Sequence, residues 1–589
     1  MPATNQSSSG KSRNGRKEPG PVVSTAAKCE VKVGSKTLSY DIAQVELKSF
    51  VDDHHVLEVK VRETDKAFQE RDISDVQGHA SYLGETLSLT LTTMDPQGED
   101  TGTLSFTGIV TGVNVESSVD ELNVTTIRAG SPTVAMDGAR LNDFFFDKKP
   151  IDVVKEIVQR HKITAGKFDD AGNQMRYCVQ YRETDYDFVM RLATGVGLFA
   201  FYDGNEFRVA KADSTTTTDV TWRRDLGAFS MRLGTGQSKF AAQVFNYENK
   251  DPKQLGTSSS PQTSLSALSG TATKASDKIF TEKSFVPGSV PTADTKSFDQ
   301  GLQQTQAGAW GRLVTCVGQS TVAAIKAGHR VKVVGMGGLE GVYLVTSVHH
   351  RLQEGGQYYN EFKCIPIDLA FPQALSRRER ATQIQSALVT DNNDPDGLGR
   401  VKVKFPWLDD KETPWVRVVV PHAGDSRGWY SLPEIGDEVV VGYENGDPDR
   451  PVILGSVYNA AGKPPSDAKS DENETKLFLT KGGNQILLSD KGGSEKIAIT
   501  TKNGDNQVVL DMSGPSISVQ SKGDISIKGS GVTISADKEI VLKSGTNTKI
   551  TASANLEAKA SANFKAEGAM MDLAGQGPVN IKGAIIKLN

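Results

Sequence analysis

Three carboxylates lie close together in the sequence, at Glu183, Asp185 and Asp187. A pair of carboxylates is the usual equipment for acid–base chemistry on a glycosidic bond. These three surround the start of a predicted helix for which Thr184 is a suitable N-cap, and acidic residues in a first turn interact favourably with the helix dipole. Capping explains at least two of the carboxylates, so we expect no catalytic residues here. The sequence also contains no H-E-x-x-H or P-loop motif.

The segment 392–397 resembles the opening of a calcium-binding loop, because acidic side chains alternate before a glycine. A complete EF-hand loop needs a bidentate glutamate at its twelfth position, which is Val403 here. We therefore interpret the segment as a tight turn between two strands, in which Gly397 and Gly399 adopt positive φ. No metal or other cofactor is expected.

The histidines and cysteines are not spaced like metal ligands. Two adjacent pairs, His54–His55 and His349–His350, lie on predicted strands, where neighbouring side chains point to opposite faces. The sequence has no CxxC pair, so we expect reduced, buried thiols in a protein made in the cytoplasm. The four cysteines are Cys29, Cys178, Cys316 and Cys364.

Composition excludes some partners. The 589 residues are 37% hydrophobic and 24% charged, within the range of soluble globular proteins. A net charge of −5 does not favour nucleic acid as the main partner. Residues 1–27 form a polar, basic leader that we predict to be disordered, and it contains no apolar signal-peptide segment. No run of 18 apolar residues occurs, so no membrane span is predicted.

Residues 28–371 read as mainly β, with alternating stretches such as Leu87–Leu91. Two helices interrupt the strands. One begins at Pro150 and carries its apolar residues on one face, and the other runs from the Thr184 cap to about Gly195. Residues 253–298 are rich in Ser, Thr, Gly and Pro, and we predict a long loop with irregular strands there.

A small barrel is predicted at 387–459, after a polar connector at 372–386. Five or so short strands in a segment of this length suit an OB-type fold. Asn445–Gly446 between the last two strands is a strong hairpin signal. A second linker follows at 460–474 and is too short to hold a further domain.

Residues 475–589 contain a repeated pattern of apolar doublets at alternate positions, such as Ile525/Ile527, Val532/Ile534 and Ile540/Leu542. The later doublets recur about every eight residues, which is typical of a β-array. A step of this length supplies one face only, and a single chain would leave its strand edges open. Three intertwined chains would close the prism and pair every edge, so we predict a homotrimeric, triple-stranded β-helical needle.

Three strings in the barrel carry a family resemblance. They are DPDGLGRVKVKFPW from Asp394, LPEIGDEV from Leu432 and GDPDRP from Gly446, and weaker matches cover 179–202 and 328–367. These strings resemble the VgrG family, the spikes of type VI secretion and of related phage-tail-like contractile systems, and the resemblance extends over about 28–589. Which of these system types applies stays open. The residues that define the barrel motif are Gly397, Gly399, Arg400, Pro433, Gly436, Asp447 and Pro448.

The resemblance implies a phage-hub-like region, an OB domain and a needle, acting together as the spike of a contractile injection system. Implied partners are Hcp-like inner-tube and baseplate proteins at the hub, a PAAR-like protein at the tip and, transiently, a target membrane. The protein would be assembled in the bacterial cytoplasm and delivered on firing. The residues expected to dock the tip protein are Ile585, Ile586, Leu588 and Asn589, which continue the alternating pattern to the end of the sequence.

Two other functions compete with the structural spike. A β-helical carbohydrate-active enzyme or adhesin would need a broad solenoid face with clustered charges, which an eight-residue step does not provide. An OB protein that binds nucleic acid would need aromatic side chains in a basic groove, whereas 394–449 is rich in aspartate. We therefore expect a mainly β, non-enzymatic structural protein.

Overall fold

A computed structural model describes residues 26–38, 41–62, 75–94, 98–116, 124–243, 265–287, 295–372, 382–408 and 411–587. The chain divides into two compact units, Met1–Lys463 and Pro464–Asn589, and the division falls inside the predicted linker 460–474. Most of the predicted leader and most of the connector lie outside the described residues. Among the residues that the structure describes, no helix is both long and apolar enough to cross a membrane.

The part of the first unit up to residue 372 is here called the hub, and its described residues contain twenty strands. The first ten are β1 (Ala26–Val33), β2 (Lys36–Thr37), β3 (Asp41–Phe50), β4 (Val56–Arg62), β5 (Thr86–Met94), β6 (Asp100–Glu116), β7 (Val124–Gly130), β8 (Arg140–Lys148), β9 (Ala165–Phe168) and β10 (Met175–Thr184). The others are β11 (Phe199–Tyr202), β12 (Phe207–Ala210), β13 (Thr217–Thr221), β14 (Leu226–Leu233), β15 (Phe240–Gln243), β16 (Ser284–Pro287), β17 (Val314–Ser320), β18 (Arg330–Val334), β19 (Gly341–Gln353) and β20 (Gln357–Pro366).

Thirteen of these strands form one large sheet, in the order β14-β17-β20-β19-β3-β4-β7-β6-β5-β1-β2, with β18 and β13 added beside β19. Separate from it are the ribbon β8–β10, the pair β15–β16 and the small sheet β11-β12-β9. Alternation sets which face is buried: Leu87, Leu89 and Leu91 on β5 are at most 1% exposed, while the residues between them are half-buried or exposed. The predicted alternation at Leu87–Leu91 is confirmed.

In the part of the hub that the structure describes, five α-helices accompany the strands: α1 (Asp75–Ala80), α2 (Pro150–Arg160), α3 (Asp185–Gly195), α4 (Ala267–Ile279) and α5 (Thr295–Trp310). Both predicted helices are confirmed, α2 with Pro150 in its first turn and α3 with the Thr184 side chain accepting from the Asp187 N–H. The predicted loop at 253–298 is wrong in part, because α4 lies inside it. Its buried face consists of small residues (Ser269, Ala272, Thr273 and Ser276), which hide the helical hydrophobic period.

The first unit ends in a closed five-stranded barrel, as predicted. Its strands are β21 (Gln385–Asp391), β22 (Arg400–Lys404), β23 (Val416–Val418), β26 (Glu438–Tyr443) and β27 (Pro451–Ser456), and a small hairpin, β24 (Ala423–Gly424) with β25 (Arg427–Gly428), lies between β23 and β26 in the chain. The predicted turn at Asn445–Gly446 is confirmed, with φ of 53° and 70°.

The second unit contains a five-stranded antiparallel sheet, β28 (Thr475–Leu479), β29 (Gln485–Ser489), β30 (Lys496–Thr500), β31 (Asn506–Asp511) and β32 (Ser516–Ser521), joined in chain order. We predicted one uniform array from 475 onwards, but the first strands pair with one another as a meander within one chain. Residues 522–587 form no strand within the single chain, and every one of them is exposed.

A group of buried histidines lies in the hub core. His55, His329 and His350 are 2%, 7% and 2% exposed. The Tyr358 hydroxyl receives a hydrogen bond from Asn360 (2.9 Å) and lies 2.7 Å from Nδ1 of His350, which fits a neutral imidazole accepting at that nitrogen. Burial is the main cause that lowers the pKa of all three, to about 4 for His55 and His329 and to about 3 for His350.

Acid is therefore expected to destabilise the hub. An unfolded chain binds a proton at each of these histidines near pH 6.5, whereas the fold excludes it until about pH 4 or below. The free energy of unfolding is therefore highest, as far as these histidines are concerned, above pH 6.5. It falls as the pH drops towards 4, by about 1.4 kcal/mol per pH unit for each histidine. Urea unfolding across this range measures the slope. His350→Gln should make the profile shallower, the exposed His422→Gln should not, and an unchanged profile for His350→Gln would contradict the assignment.

Candidate functional site

The turn between β21 and β22 is organised around one buried ion pair. The Asp394 carboxylate accepts from the backbone N–H groups of Asp396, Leu398 and Arg400 and from the Arg400 guanidinium, at 2.9 Å from Nε and 2.6 Å from a terminal nitrogen. Both side chains are at most 4% exposed. The Arg400 hydrogen bonds are the main cause that lowers the pKa of Asp394 to about 2.

The turn has the conformation predicted for it. Gly397 and Gly399 adopt φ of 66° and 70°, in the left-handed region that favours glycine. Because an arginine and three N–H groups surround the Asp394 oxygens, the side chain braces a turn instead of facing a cation. Among the described residues, no group of three His, Cys, Asp or Glu side chains is arranged to hold a metal ion.

The second barrel string closes the barrel against β21. The backbone oxygen of Pro433 accepts from the Asn392 side chain at 3.0 Å, and the Gly436 N–H donates to the Val389 oxygen at 2.9 Å. Gly436 has φ of 94°, so this close approach depends on a residue that tolerates positive φ.

The third barrel string contacts the hub. Asp447 is 7% exposed and orders the loop by accepting from the Asp449 N–H at 3.0 Å. This directs the Asp449 carboxylate to the Val179 N–H on β10, at 2.6 Å. A loop of the barrel thereby supplies a charged acceptor to the edge of a hub strand.

The other backbone group of Val179, its carbonyl oxygen, is bound from within the hub. Arg191 on α3 donates to the Val179 oxygen at 2.8 Å and forms two hydrogen bonds with the Glu183 carboxylate, at 2.8 and 2.7 Å. Burial alone would lower the pKa of Arg191, but the negative charges of Glu183 and Asp449 raise it above its ordinary value. Both backbone groups of Val179 are thus fixed by ionised side chains, one from each domain.

Aromatic packing surrounds these bonds. Phe144 on β8 lies 5.2 Å from Trp407 and 6.2 Å from Phe405 between ring centroids, and Tyr181 lies 6.2 Å from Trp407. These rings belong to one continuous core that also contains the inward residues of the barrel. Hub and barrel therefore share a hydrophobic core. We call this contact, with the polar bonds at Val179, the joint.

Gln385, at the start of β21, links the rings through hydrogen bonds. Its amide nitrogen donates to the hydroxyls of Tyr181 (3.1 Å) and Tyr443 (2.8 Å), and its oxygen accepts from the Trp407 indole at 2.7 Å. Lys411 adds an ion pair to Asp143 at the edge of the joint. One glutamine therefore satisfies the polar ring groups of Tyr181, Tyr443 and Trp407 beside the shared core.

The carboxylate cluster at the start of α3 has structural partners. Glu183 pairs with Arg191, and Asp185, whose side chain is 3% exposed, lies 2.6 Å from His161 and accepts from Gln180 at 2.9 Å. Thr184 caps α3 and Asp185 and Asp187 lie in its first turn, as predicted, while Glu183 and Asp185 have polar partners in addition.

Sequence inspection missed a G-x-S-x-G string at 424–428. In hydrolases such a string forms a strained turn from a strand to a helix. Here Ser426 is in the two-residue turn of the β24–β25 hairpin with φ of 55°, and its hydroxyl donates to Asp425 at 3.2 Å. A strand follows it instead of a helix, so the context of a hydrolase nucleophile is not met.

Other predicted positions are separate from the joint. His349 and His350 lie on β19, as predicted, and only His350 is buried, which fits opposite faces. The prediction is wrong for His54 and His55, which precede β4, although His55 is buried and His54 is less so. Ile585 and Ile586 are 79% and 51% exposed in the single chain, whereas Leu588 and Asn589 lie outside the described residues. Sequence inspection also missed the joint itself, since Val179 and Asp449 are far apart in the chain.

Two known domain families match this chain in sequence. Residues 71–356 match the phage tail baseplate hub (GPD) family, and residues 385–458 match the type VI secretion system/phage-baseplate injector OB domain. The second match spans the closed barrel, and the first contains most of the hub.

Individual proteins are also similar to this chain in sequence. The type VI secretion system spike protein VgrG1b of Pseudomonas aeruginosa is 25% identical over 408 residues, which are 62% of this chain and 54% of that protein. The actin cross-linking toxin VgrG1 of Vibrio cholerae is 25% identical over 414 residues, 62% of this chain and 36% of that protein. The chain thus spans about half, or less, of the length of these relatives.

A solved structure shares the fold. A chain of the Francisella PdpA–VgrG complex superposes with a TM-score of 0.53 at 9% identity, over 85% of this chain and 89% of that chain. The hub and OB families occur here in chain order, their signature strings meet at the joint, and the sequence relatives carry the same name. The chain is therefore similar to VgrG spike proteins in sequence, in the order of its two domain families and in fold.

Proposed function

We propose that the protein is the trimeric spike and hub of a bacterial contractile injection system. In this role the hub connects to Hcp-like inner-tube and baseplate proteins, the barrel forms a collar, and the C-terminal unit forms a needle that opens the target envelope. The matches to the baseplate hub and injector OB domain families, their order in the chain and the similarity to VgrG spike proteins support the proposal. Assembly in the cytoplasm and delivery on firing belong to the same proposal.

The observation that carries the trimer is an uncovered apolar face in the second unit, here called the open face. Cross-strand register aligns nine apolar side chains on one side of the sheet β28–β32: Phe478, Ile486, Leu488, Ile497, Ile499, Val508, Leu510, Ile517 and Val519. In a single chain Ile499, Ile517 and Val519 are 53%, 74% and 57% exposed. Such a contiguous face in water favours association, and two further copies of the chain offer the same face.

The joint suits a part that transmits force. A contracting sheath would push on the hub, and the push must reach the needle through the barrel. Because hub and barrel share aromatic packing and charged hydrogen bonds at Val179, they would move together. If only a flexible connector joined the two domains, the barrel could rotate relative to the hub.

Enzymatic action is not part of the proposal. The carboxylates that could act on a sugar are engaged with Arg191, His161 and Gln180, which leaves them poorly suited to proton transfer. The relative from Vibrio cholerae is named as an actin cross-linking toxin, but this chain spans only 36% of that protein. Incubation with glycans, peptidoglycan or actin should yield no product above a heat-inactivated control, and turnover lost in Glu183→Gln would favour the enzyme alternative.

The trimer can be tested by light scattering on the full-length protein. We expect a mass near three times 63.3 kDa, and a loss of association when residues 475–589 are removed. Ile517→Lys with Val519→Lys places charge on the open face and should weaken the trimer. The matched control, Ser516→Lys with Ser518→Lys, alters the opposite side of the same strand and should not. A full-length protein that remains monomeric at micromolar concentration would contradict the proposal.

The joint predicts a measurable coupling between hub and barrel. Asp449→Ala leaves the buried Val179 N–H without its acceptor and should lower the free energy of unfolding by about 1–3 kcal/mol. Asp449→Asn retains an oxygen and should cost less. Asp425→Asn, an exposed carboxylate in the same barrel, should change stability by less than about 0.5 kcal/mol. Equal urea midpoints for Asp449→Ala and the unsubstituted protein would show that this hydrogen bond does not couple the stability of the hub to that of the barrel.

Docking of a PAAR-like tip protein is proposed at Ile585, Ile586, Leu588 and Asn589. Deleting residues 584–589 should abolish co-purification with a co-expressed PAAR-like protein while the trimer mass is retained. Ile585→Lys with Ile586→Lys should act in the same way, whereas Lys582→Ala should leave capture intact. Full capture by the truncated spike would place the docking surface elsewhere.

A further inference from the structure

Two of the four cysteines face each other across adjacent hub strands. In the antiparallel pair β17–β20, Cys316 is directly opposite Cys364. The other two cysteines are opposite residues of other types, since Cys29 is opposite Leu91 and Cys178 is opposite Phe145. None of the four forms a disulfide in this structure. We propose that Cys316 and Cys364 form a redox modification site, at which a small disulfide oxidant closes an intrachain disulfide within the hub.

The geometry of the strand pair suits a disulfide. Directly opposite residues in antiparallel strands have Cα atoms about 4.5–5.5 Å apart, within the range of about 4.4–6.8 Å that a disulfide spans. Besides burial, the neighbouring Cys316 thiol contributes to the raised pKa of Cys364, as expected for two thiols on directly opposite residues. A bulge between Val345 and Ser347 on β19, beside Cys364, increases the local twist. Bond formation therefore needs side-chain rotation and no shift of register.

The surroundings keep the pair reduced until the strands open. Each cysteine is 1% exposed, and both belong to a buried cluster that also contains Tyr343. Burial raises the pKa of the Cys364 thiol well above its ordinary value, so little thiolate exists in the closed fold. Access is possible from one side, because β14 (Leu226–Leu233) is the last strand of the sheet and covers β17. Fraying of β14 would admit an oxidant.

The reaction balances as thiol–disulfide exchange. One cysteine thiolate attacks the small disulfide, forms a mixed disulfide and releases one small thiolate. The second cysteine thiolate then attacks the protein sulfur of the mixed disulfide and releases the other. Two cysteine thiols and one small disulfide yield one protein disulfide and two small thiols. The cytoplasm opposes this reaction and an oxidising compartment favours it.

The bond would lock the second half of the hub. It closes a loop that contains β18 and β19, which are hydrogen-bonded neighbours in the large sheet. A cross-link of this kind restricts the unfolded chain and so raises the stability of the fold. The inference goes beyond the proposed spike function and does not depend on it, because it concerns one chain only.

The test uses the full-length protein and oxidised glutathione. We expect two of the four thiols to disappear, with no glutathione retained, and a Cys316–Cys364 peptide on non-reducing mapping. The thermal midpoint of the hub should rise by several degrees and return when a dithiol reductant is added. Cys316→Ser and Cys364→Ser should abolish the midpoint rise, and Cys29→Ser and Cys178→Ser should retain it.

A slow reaction could mean that oxidised glutathione rarely reaches the buried cysteines, or that the two cysteines do not form a disulfide. Repeating the oxidation in sub-denaturing urea, which opens the sheet edge, distinguishes these cases. Faster closure of the same pair in urea supports the proposal. Four remaining thiols under both conditions would overturn it, as would a stable glutathione adduct on either cysteine of the unsubstituted protein. Cross-linking through Cys29 or Cys178 would overturn it equally.

Discussion

Every extended segment must have its backbone polar groups paired, and this constraint governs the way the domains are connected. Among the described strands, β8 is the one that pairs with the hub strand β10, along one of its edges. On the other edge, the Val179 N–H donates to the Asp449 carboxylate, and the Val179 oxygen accepts from the Arg191 guanidinium. A strand edge that could have remained open is instead closed by side chains, and one of them comes from the next domain.

Much of this architecture can be predicted locally. The barrel follows from short alternating runs separated by Gly, Pro and Asn turns, and α3 follows from its cap at Thr184. The joint cannot be predicted in this way, because Val179 and Asp449 lie 270 positions apart and no periodicity relates them. Two strings that appear independent along the sequence, the hub signature and the GDPDRP loop, are halves of one contact. The Cys316–Cys364 pairing is hidden for the same reason, since strand register is a tertiary property.

The C-terminal unit shows the limit of periodicity in another form. Alternating doublets establish which side chains share a face, and the register of β28–β32 bears this out. The same period of two fits an antiparallel meander within one chain and strands contributed by three chains. Pairing partners therefore cannot be read from the pattern, and the meander was missed. What the pattern does specify is an apolar face, and its exposure in one chain is the physical argument for more copies.

The composition of the joint fits a part under mechanical load. Aromatic packing between Phe144, Phe405 and Trp407 is strong but weakly directional, so it resists separation of the domains more than sliding. Charged hydrogen bonds at Val179 are short and directional, and they resist sliding and rotation. Neither type alone would fix the barrel on the hub. Their combination around one strand makes the orientation of the barrel a property of the folded chain, so a push on the hub reaches the barrel without loss of direction.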